Sequence, residues 1–142
     1  CNLGSLNLGR MLTEGRFDFE RLRANVQLAI RQLDRVIDLN YYPIPTAADS
    51  NRKWRPVGLG LMGLQDVFFQ LRLPFDAPEA RALSKKISEE IYYAALSTSC
   101  DLAEQLGPPA CPGTPRGAWC RRTRRAGTRC ARASRRWGCA TR

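Results

Sequence analysis

The sequence predicts an α/β fold, and three stretches carry that prediction. Cys1 to Leu8, CNLGSLNL, sets Leu3, Leu6 and Leu8 among polar residues and glycine, as a short strand does. From Asp18 to Leu39 apolar residues recur at helical spacing. Trp54 to Asp66, WRPVGLGLMGLQD, is an apolar, glycine-bearing run that leads straight into another helical pattern. Short strand, long helix, glycine-rich strand and further helices is an order that favours α/β over all-helical, although one such segment cannot close a sheet by itself.

Taken in order, the first strand ends near Leu8, and Met11 to Phe17, with Thr13, Glu14 and Gly15, reads as a surface connection. Asp18 is a good N-cap for the helix that follows. Leu22, Val26, Ile30, Leu33 and Ile37 form its buried stripe, while Arg23, Gln27, Arg31 and Arg35 lie on a solvated face. Asn40 to Asn51 breaks the helix. Pro43 and Pro45 restrict the backbone around Ile44, Tyr41 and Tyr42 can pack their rings with the hydroxyls directed to partners, and Asp49-Ser50-Asn51 is turn chemistry.

The glycine run then reads as a buried strand or extended turn, followed by a short helix from Leu64 to Leu71. Leu73-Pro74 stops that helix. A last helix starts at Asp76 or Pro78 and runs to Leu106, with Leu83, Ile87, Ile91, Ala94, Ala95, Thr98, Leu102 and Leu106 on its apolar stripe and Gly107 as its stop. Lys85 with Glu89 and Lys86 with Glu90 are opposite-charge pairs one turn apart, each contributing about 0.2–0.5 kcal/mol.

The totals bound the function. At 142 residues the chain is at most one ordinary domain. It begins on Cys inside an apolar alternation, which suggests a piece of a longer polypeptide. No apolar stretch is long enough to cross a bilayer. The net charge of +10 is unevenly held. Residues 1 to 107 carry 13 basic and 13 acidic side chains, whereas residues 108 to 142 carry ten Arg and no acid. The same tail holds four of the six cysteines and two of the three tryptophans, so two compositions meet near Gly107.

Several chemistries fall away. The chain has no His, which removes Ser-His-Asp and Cys-His catalysis and the commonest zinc ligand sets. Gly58 to Gly63 spell G-x-G-x-x-G, but the segment before them, Asn51 to Val57, is too charged for a central strand, and Asp76 and Glu79 come too early for a ribose-binding acid. The glycines are better explained by close backbone approach within a sheet or barrel. Asp34 and Asp38 share a helical face and read as solvated acids, and Cys100 reads as a buried structural thiol. Cys1 stands at an element end where a partner can reach a thiol. Spacing alone leaves both a redox or nucleophilic role and a plain structural one open.

Five strings give the chain a family resemblance: CNLGSLNL at Cys1 to Leu8, IDLNYYPIPTA at Ile37 to Ala47, SN-x-x-WRPVGLGLMGLQD at Ser50 to Asp66, LPFD at Leu73 to Asp76, and EEIYYAALSTSCDLAE at Glu89 to Glu104. Over residues 1 to about 109 the sequence resembles the catalytic large (alpha) subunit of ribonucleotide reductase, most like the bacterial class I enzymes. The resemblance implies an interior portion of a ten-stranded α/β barrel, with CNLGSL on one strand and RPVGLGLMG on the next. It matches Cys1 to the barrel cysteine that, with a second cysteine far upstream, supplies two reducing electrons and becomes a disulfide at each turnover.

The same resemblance implies a cytoplasmic enzyme that reduces ribonucleotides to deoxyribonucleotides by radical chemistry. Its implied partners are the ribonucleotide substrate, a radical-generating small subunit with its metallocofactor, a second large subunit, and thioredoxin or glutaredoxin as reductant. ATP and deoxynucleotide effectors would bind elsewhere in the parent, and no cofactor or metal is expected on this segment. The family's thiyl-radical cysteine, phosphate-binding loop and radical-transfer tyrosines fall outside the matching strings, so the segment is not expected to be active alone.

After Pro109 the resemblance stops. Family members continue into a Gly/Ser/Pro loop and an acidic-aromatic strand, whereas residues 110 to 142 are rich in Arg and Cys. Ten arginines with Trp119 and Trp137 interleaved would suit a small basic nucleic-acid-binding protein. However, the tail lacks every Lys, Asp, Glu, Ile, Val and Leu, which favours a frame-shifted translation of GC-rich coding sequence. Cysteines at 111, 120, 130 and 139 lack the close pairing of zinc sites, and a tail without apolar periodicity is expected to be disordered.

Overall fold

The computed structural model describes residues 2 to 107, so the expectations for Cys1 and for residues 110 to 142 lie outside the described residues. Strand β1 (Asn2–Asn7) leads through a 3-10 turn (Leu8–Arg10) into a small hairpin of β2 (Leu12–Thr13) and β3 (Arg16–Phe17). Helix α1 (Phe19–Leu39) and helix α2 (Pro45–Trp54) carry the chain back to β4 (Val57–Met62), then α3 (Leu64–Gln70) and α4 (Pro78–Leu106) follow. β1 and β4 pair in parallel from Asn2 opposite Val57 to Asn7 opposite Met62. Adjacent parallel strands are what the resemblance implied for these two stretches. Among the described residues they form a two-stranded sheet, not a closed barrel.

Helix α1 begins where its cap chemistry directs. The Asp18 carboxylate accepts a hydrogen bond from the Arg21 amide at 2.9 Å, satisfying a first-turn N–H that has no helical partner. Its expected stripe is buried at Leu22, Val26, Ile30 and Ile37, and half-buried at Leu33. Leu33 faces the strands, where its side chain lies 3.6 Å from the Cβ position of Gly4. Toward α4 the stripe meets Ile87, Ala94 and Leu102, and these join Leu8 and Val67 in one apolar cluster. At about 25 cal/mol per Å² of buried apolar surface, that cluster is the main favourable term holding the helices to the sheet.

Three local expectations are corrected. Met11 to Phe17 is a hairpin, whose turn residues Glu14 and Gly15 both take positive φ (51° and 74°), the geometry of a tight primed turn. Asp49-Ser50-Asn51 lies inside α2; Pro45 at the first turn of the helix was the missed signal, because its fixed φ suits a helix start. That helix buries no residue, so it has no apolar periodicity to read. Tyr42 does direct its hydroxyl to a partner, donating to the Ile37 carbonyl at 2.8 Å, but the Tyr41 ring is 84% exposed.

The last helix follows its expected bounds, with Gly107 at its end. Its buried positions extend beyond the expected stripe to Glu90, Ser99 and Ala103, while Leu106 is exposed. The Thr98 hydroxyl is satisfied within the helix by donating to the Ala94 carbonyl at 2.8 Å.

Gly60 of β4 and Gly63 just after it mark close approach, as expected. A Cβ on Gly60 would stand 2.9 Å from Ser5 Oγ, a small group that can rotate away. Gly63 is stricter: its φ is +75°, and a Cβ there would stand 2.7 Å from Asn7 Oδ1 and 3.1 Å from the Gly9 amide nitrogen. Left-handed backbone alone costs a residue with a Cβ roughly 1–2 kcal/mol. In the full-length polypeptide, Gly63→Ala should therefore lower the thermal midpoint clearly more than Gly60→Ala. Equal midpoints for the two variants would contradict this account.

Candidate functional site

The candidate site is the uncovered face of the parallel strand pair. Side chains alternate along each strand, and paired residues of parallel strands project to the same side. Asn2, Gly4 and Leu6 therefore share the helix-covered side with Val57 and Leu59, and Leu33 of α1 packs there. Leu3, Ser5 and Asn7 share the opposite side with Gly58, Gly60 and Met62. That side is open: Leu3 is 77% exposed and Met62 54% exposed. At its C-terminal end Asn7 Oδ1 accepts from the Gly9 amide at 3.0 Å, and Gln70 Nε2 donates to the Gly9 carbonyl at 3.1 Å, fixing the turn out of β1.

The opposite end of the pair is fastened by charge. Arg55, in left-handed backbone with φ 46°, turns the chain from α2 into β4. Its Nε donates to Asp34 Oδ1 at 2.9 Å, Nη1 to Asp38 Oδ1 at 2.7 Å, and Nη2 to Asp38 Oδ2 at 2.7 Å and to the Asp34 carbonyl at 2.8 Å. The Arg55 and Asp34 side chains are only 9% and 10% exposed, whereas that of Asp38 is 54% exposed. Hydrogen bonds from the guanidinium to Asp38, and then to Asp34, hold the Arg55 pKa above its already high ordinary value, against the opposing effect of burial. Reading Asp34 as a solvated acid is thus corrected. Its carboxylate is buried because a partner 21 residues away neutralises it, and helical spacing within α1 gives no sign of such a partner.

Beside this clamp the two strand entries are joined. The Asn2 amide donates to the Pro56 carbonyl at 3.3 Å, and Asn2 Nδ2 donates to the Leu33 carbonyl at 3.5 Å. One end of helix α1, Leu33 to Asp38, therefore holds the starts of both β1 and β4.

Comparison with known proteins decides the family. The family model for the ribonucleotide reductase barrel domain matches residues 1–119. The chain belongs to the ribonucleotide reductase barrel-domain family. It is 52% identical over 108 residues to the ribonucleoside-diphosphate reductase large subunit of Vaccinia virus (strain Copenhagen), covering 76% of this chain and 14% of that protein. It is 50% identical over 109 residues to the large subunit of Caenorhabditis elegans, again 76% of this chain and 14% of the relative. With the large chain of Schizosaccharomyces pombe it shares 47% identity over 107 residues, 75% of this chain and 13% of the relative. The chain thus spans about one seventh of the length of the curated relatives it matches.

Within this reductase segment, Cys1, the one site residue expected from the sequence, lies outside the described residues. Cys100, expected to be a buried structural thiol, is buried on α4 at 4% exposure. The glycine fingerprint spans β4 and the turn into α3, which has only seven residues, so no long dinucleotide-type helix follows it. Among the described residues no three His, Cys, Asp or Glu side chains gather as metal ligands would, and no helix is long and apolar enough to cross a membrane.

A second ion pair ties α1 to α4. Arg23 Nε and Nη2 donate to Glu90 Oε2 and Oε1 at 2.6 and 2.9 Å. The expected Lys86–Glu90 pairing is a lesser effect, since Lys86 Nζ sits 4.5 Å over the Phe19 ring. The Arg23 hydrogen bonds hold the Glu90 carboxyl below its ordinary range, partly opposed by burial and assisted by the charges of Arg23 and Lys86. A depressed carboxylate pKa stabilises the fold above the unfolded value, about 4.3, and that contribution is lost as pH falls through the folded value. Glu90→Gln should lower the thermal midpoint at neutral pH, and the gap from the unsubstituted protein should close below about pH 4. Arg23 is partly exposed, so the effect will be modest and will shrink in high salt. A gap that stayed constant from pH 7 to pH 3 would refute the pairing as its cause.

Proposed function

We propose that the chain is an interior section of the catalytic large subunit of a class I ribonucleoside-diphosphate reductase, contributing two neighbouring strands to a ten-stranded barrel. The observation that carries this reading is the family match across residues 1–119 together with relatives named as large subunits at about half identity. The open face of β1 and β4 supports it, because a strand pair covered by helices on one side only suits the wall of a larger barrel. The substrate would be a ribonucleotide, with a radical-generating small subunit, a second large subunit and a thioredoxin or glutaredoxin as partners. The cytoplasm would be its location, and effector nucleotides would bind outside this segment.

Cys1 is proposed as one of the two thiols that reduce the ribose. In the net reaction the C2′–OH bond breaks, a C2′–H bond forms, and the hydroxyl leaves as water. The two electrons come from two thiols that become one disulfide, and their two protons balance the new C–H bond and the water. A radical-generating metallocofactor in the partner subunit would supply the radical that starts the chemistry on the sugar. The thiol pair must reach Cα separations of roughly 4.4–6.8 Å to close the disulfide.

In the complete enzyme, Cys1→Ser should leave substrate binding intact and abolish turnover supported by a dithiol reductant, because serine cannot form the disulfide. Cys100→Ser should leave the redox step intact. The measurement is deoxyribonucleotide formed per enzyme, with disulfide mapping after one turnover without reductant. Normal turnover by Cys1→Ser, or a mapped disulfide through Cys100, would sink the assignment.

Residues 110–142 are proposed as a frame-shifted or otherwise non-native continuation of residues 1–109. The competing reading, a basic nucleic-acid-binding protein, draws no support from the relatives, which are named as ribonucleoside-diphosphate reductase large subunits. Shifting the reading frame near codon 110 should restore a Gly/Ser/Pro loop followed by an acidic-aromatic strand. Failure of every alternative frame to do so would remove the support for a frame shift.

A further inference from the structure

We propose that the cleft between α3 and the first turns of α4 is a binding site for a small planar anion, an aromatic carboxylate or phosphate. Its volume is about 520 Å³, inside the roughly 300–1,000 Å³ typical of small-molecule sites. Phe68 and Ala80, 3% and 1% exposed, give it an apolar floor. Phe75 lines the same cleft but is 72% exposed, and it meets Phe68 edge-on with ring centroids 6.3 Å apart. That exposed ring sits on a fixed turn. The Leu73 amide donates to the Phe68 carbonyl at 2.9 Å, the Ala77 amide donates to the Pro74 carbonyl at 3.1 Å, and proline locks its own φ. An aromatic surface is thus held beside an apolar floor, an arrangement against which a flat ring can stack.

The polar lining selects the sign of the ligand. Arg81, Ser84, Lys85 and Ser88 recur at three- and four-residue spacing and so share one face of α4. Two cations and two hydroxyls therefore line the cleft, against the single carboxylate of Asp76. Arg81 Nη2 donates to the Asp76 carbonyl at 3.3 Å, which ties the guanidinium to the turn. Lys85 has its expected partner, Glu89, one turn on, yet among the described residues its ammonium makes no ion pair or hydrogen bond. Its neighbours on the helix are engaged elsewhere, Lys86 over the Phe19 ring and Glu90 with Arg23. A carboxylate or phosphate would complete the unpaired ammonium with a charge-assisted hydrogen bond, and the serine hydroxyls can donate to its remaining oxygens. A neutral aromatic ligand would use the floor and leave both cations unanswered.

The test uses the complete large subunit with ribonucleotide substrate and effector nucleotides at saturation, so that the sites proposed for them are filled. Naphthoate, naphthyl phosphate and the neutral naphthalenemethanol are titrated by calorimetry against the unsubstituted protein, Phe75→Ala, Lys85→Ala and Asp76→Asn. Thermal midpoints are measured for each variant, and they should hold because all three side chains are exposed. Both anions should bind, and the alcohol clearly more weakly. Phe75→Ala should weaken all three probes by roughly 3- to 10-fold through loss of the stacking surface. Lys85→Ala should weaken the two anions by roughly 3- to 10-fold and leave the alcohol unchanged. Asp76→Asn should tighten the anions, because it removes the carboxylate that repels them. Either ranking of naphthoate and naphthyl phosphate supports the inference and names the anionic group the cleft prefers.

Absence of binding by either anion would overturn the inference, as it must if another part of the polypeptide fills the cleft. Binding of the alcohol as tight as that of the anions would overturn the charge selection. Anion binding insensitive to both Phe75→Ala and Lys85→Ala would put the probe elsewhere on the protein and overturn the site. None of these outcomes depends on the thiol role proposed for Cys1, which turnover reads separately.

Discussion

Helix α1 must satisfy two surfaces at once, and the rest of the structure depends on that constraint. Leu33 meets the strands at Gly4, while Leu22, Val26 and Ile30 share a buried cluster with Ile87, Ala94 and Leu102 of α4. A helix buried on one side only could carry its polar residues freely around the remainder. Here both flanks of the buried stripe are packed, and the polar groups nearest to it are paired. Arg23 finds Glu90 on the α4 side, and Asp34 finds Arg55 on the strand side. Both pairs lie where burial would make an unpaired charge costly.

That constraint also separates what the sequence could disclose from what it could not. Asp18, the α1 stripe and the Gly107 stop were legible because capping and periodicity are local properties of the chain. Helix α2 was obscured because it buries nothing and starts at the second of two closely spaced prolines, leaving only Pro45 as a helix-start signal. The hairpin at Glu14-Gly15 was hidden for a similar reason: strands of two residues carry no alternation. The polar clamp is non-local. Asp34 and Arg55 are 21 residues apart, and nothing in the spacing of either announces the other.

The strand pair shows how local and family information divide the work. Alternation suggested a strand at CNLGSLNL, and the glycines suggested close approach in VGLGLM, but neither dictates that the two strands are neighbours. The resemblance implied it, and the register from Asn2–Val57 to Asn7–Met62 supplies the detail on which a functional face can be defined. The glycine fingerprint thereby acquires a different physical meaning from nucleotide binding. Gly60 accommodates Ser5 across the pair, and Gly63 accommodates the Asn7 amide oxygen at the strand exit.

Gly58 and Gly60 give the open face an uneven relief. They alternate with nothing taller on their own strand until Met62, whereas the neighbouring strand presents Leu3, Ser5 and Asn7. A group resting over β4 would therefore meet peptide planes, whose N–H and C=O bonds run sideways along the ladder and offer it little directed attraction. Discrimination on such a surface has to come from its raised margin: an apolar Leu3 at one end, a hydroxyl in the middle, and an amide beside a thioether at the other. The strand pair thus resembles a shallow channel graded from greasy to polar along its length, with the glycine row as its bed.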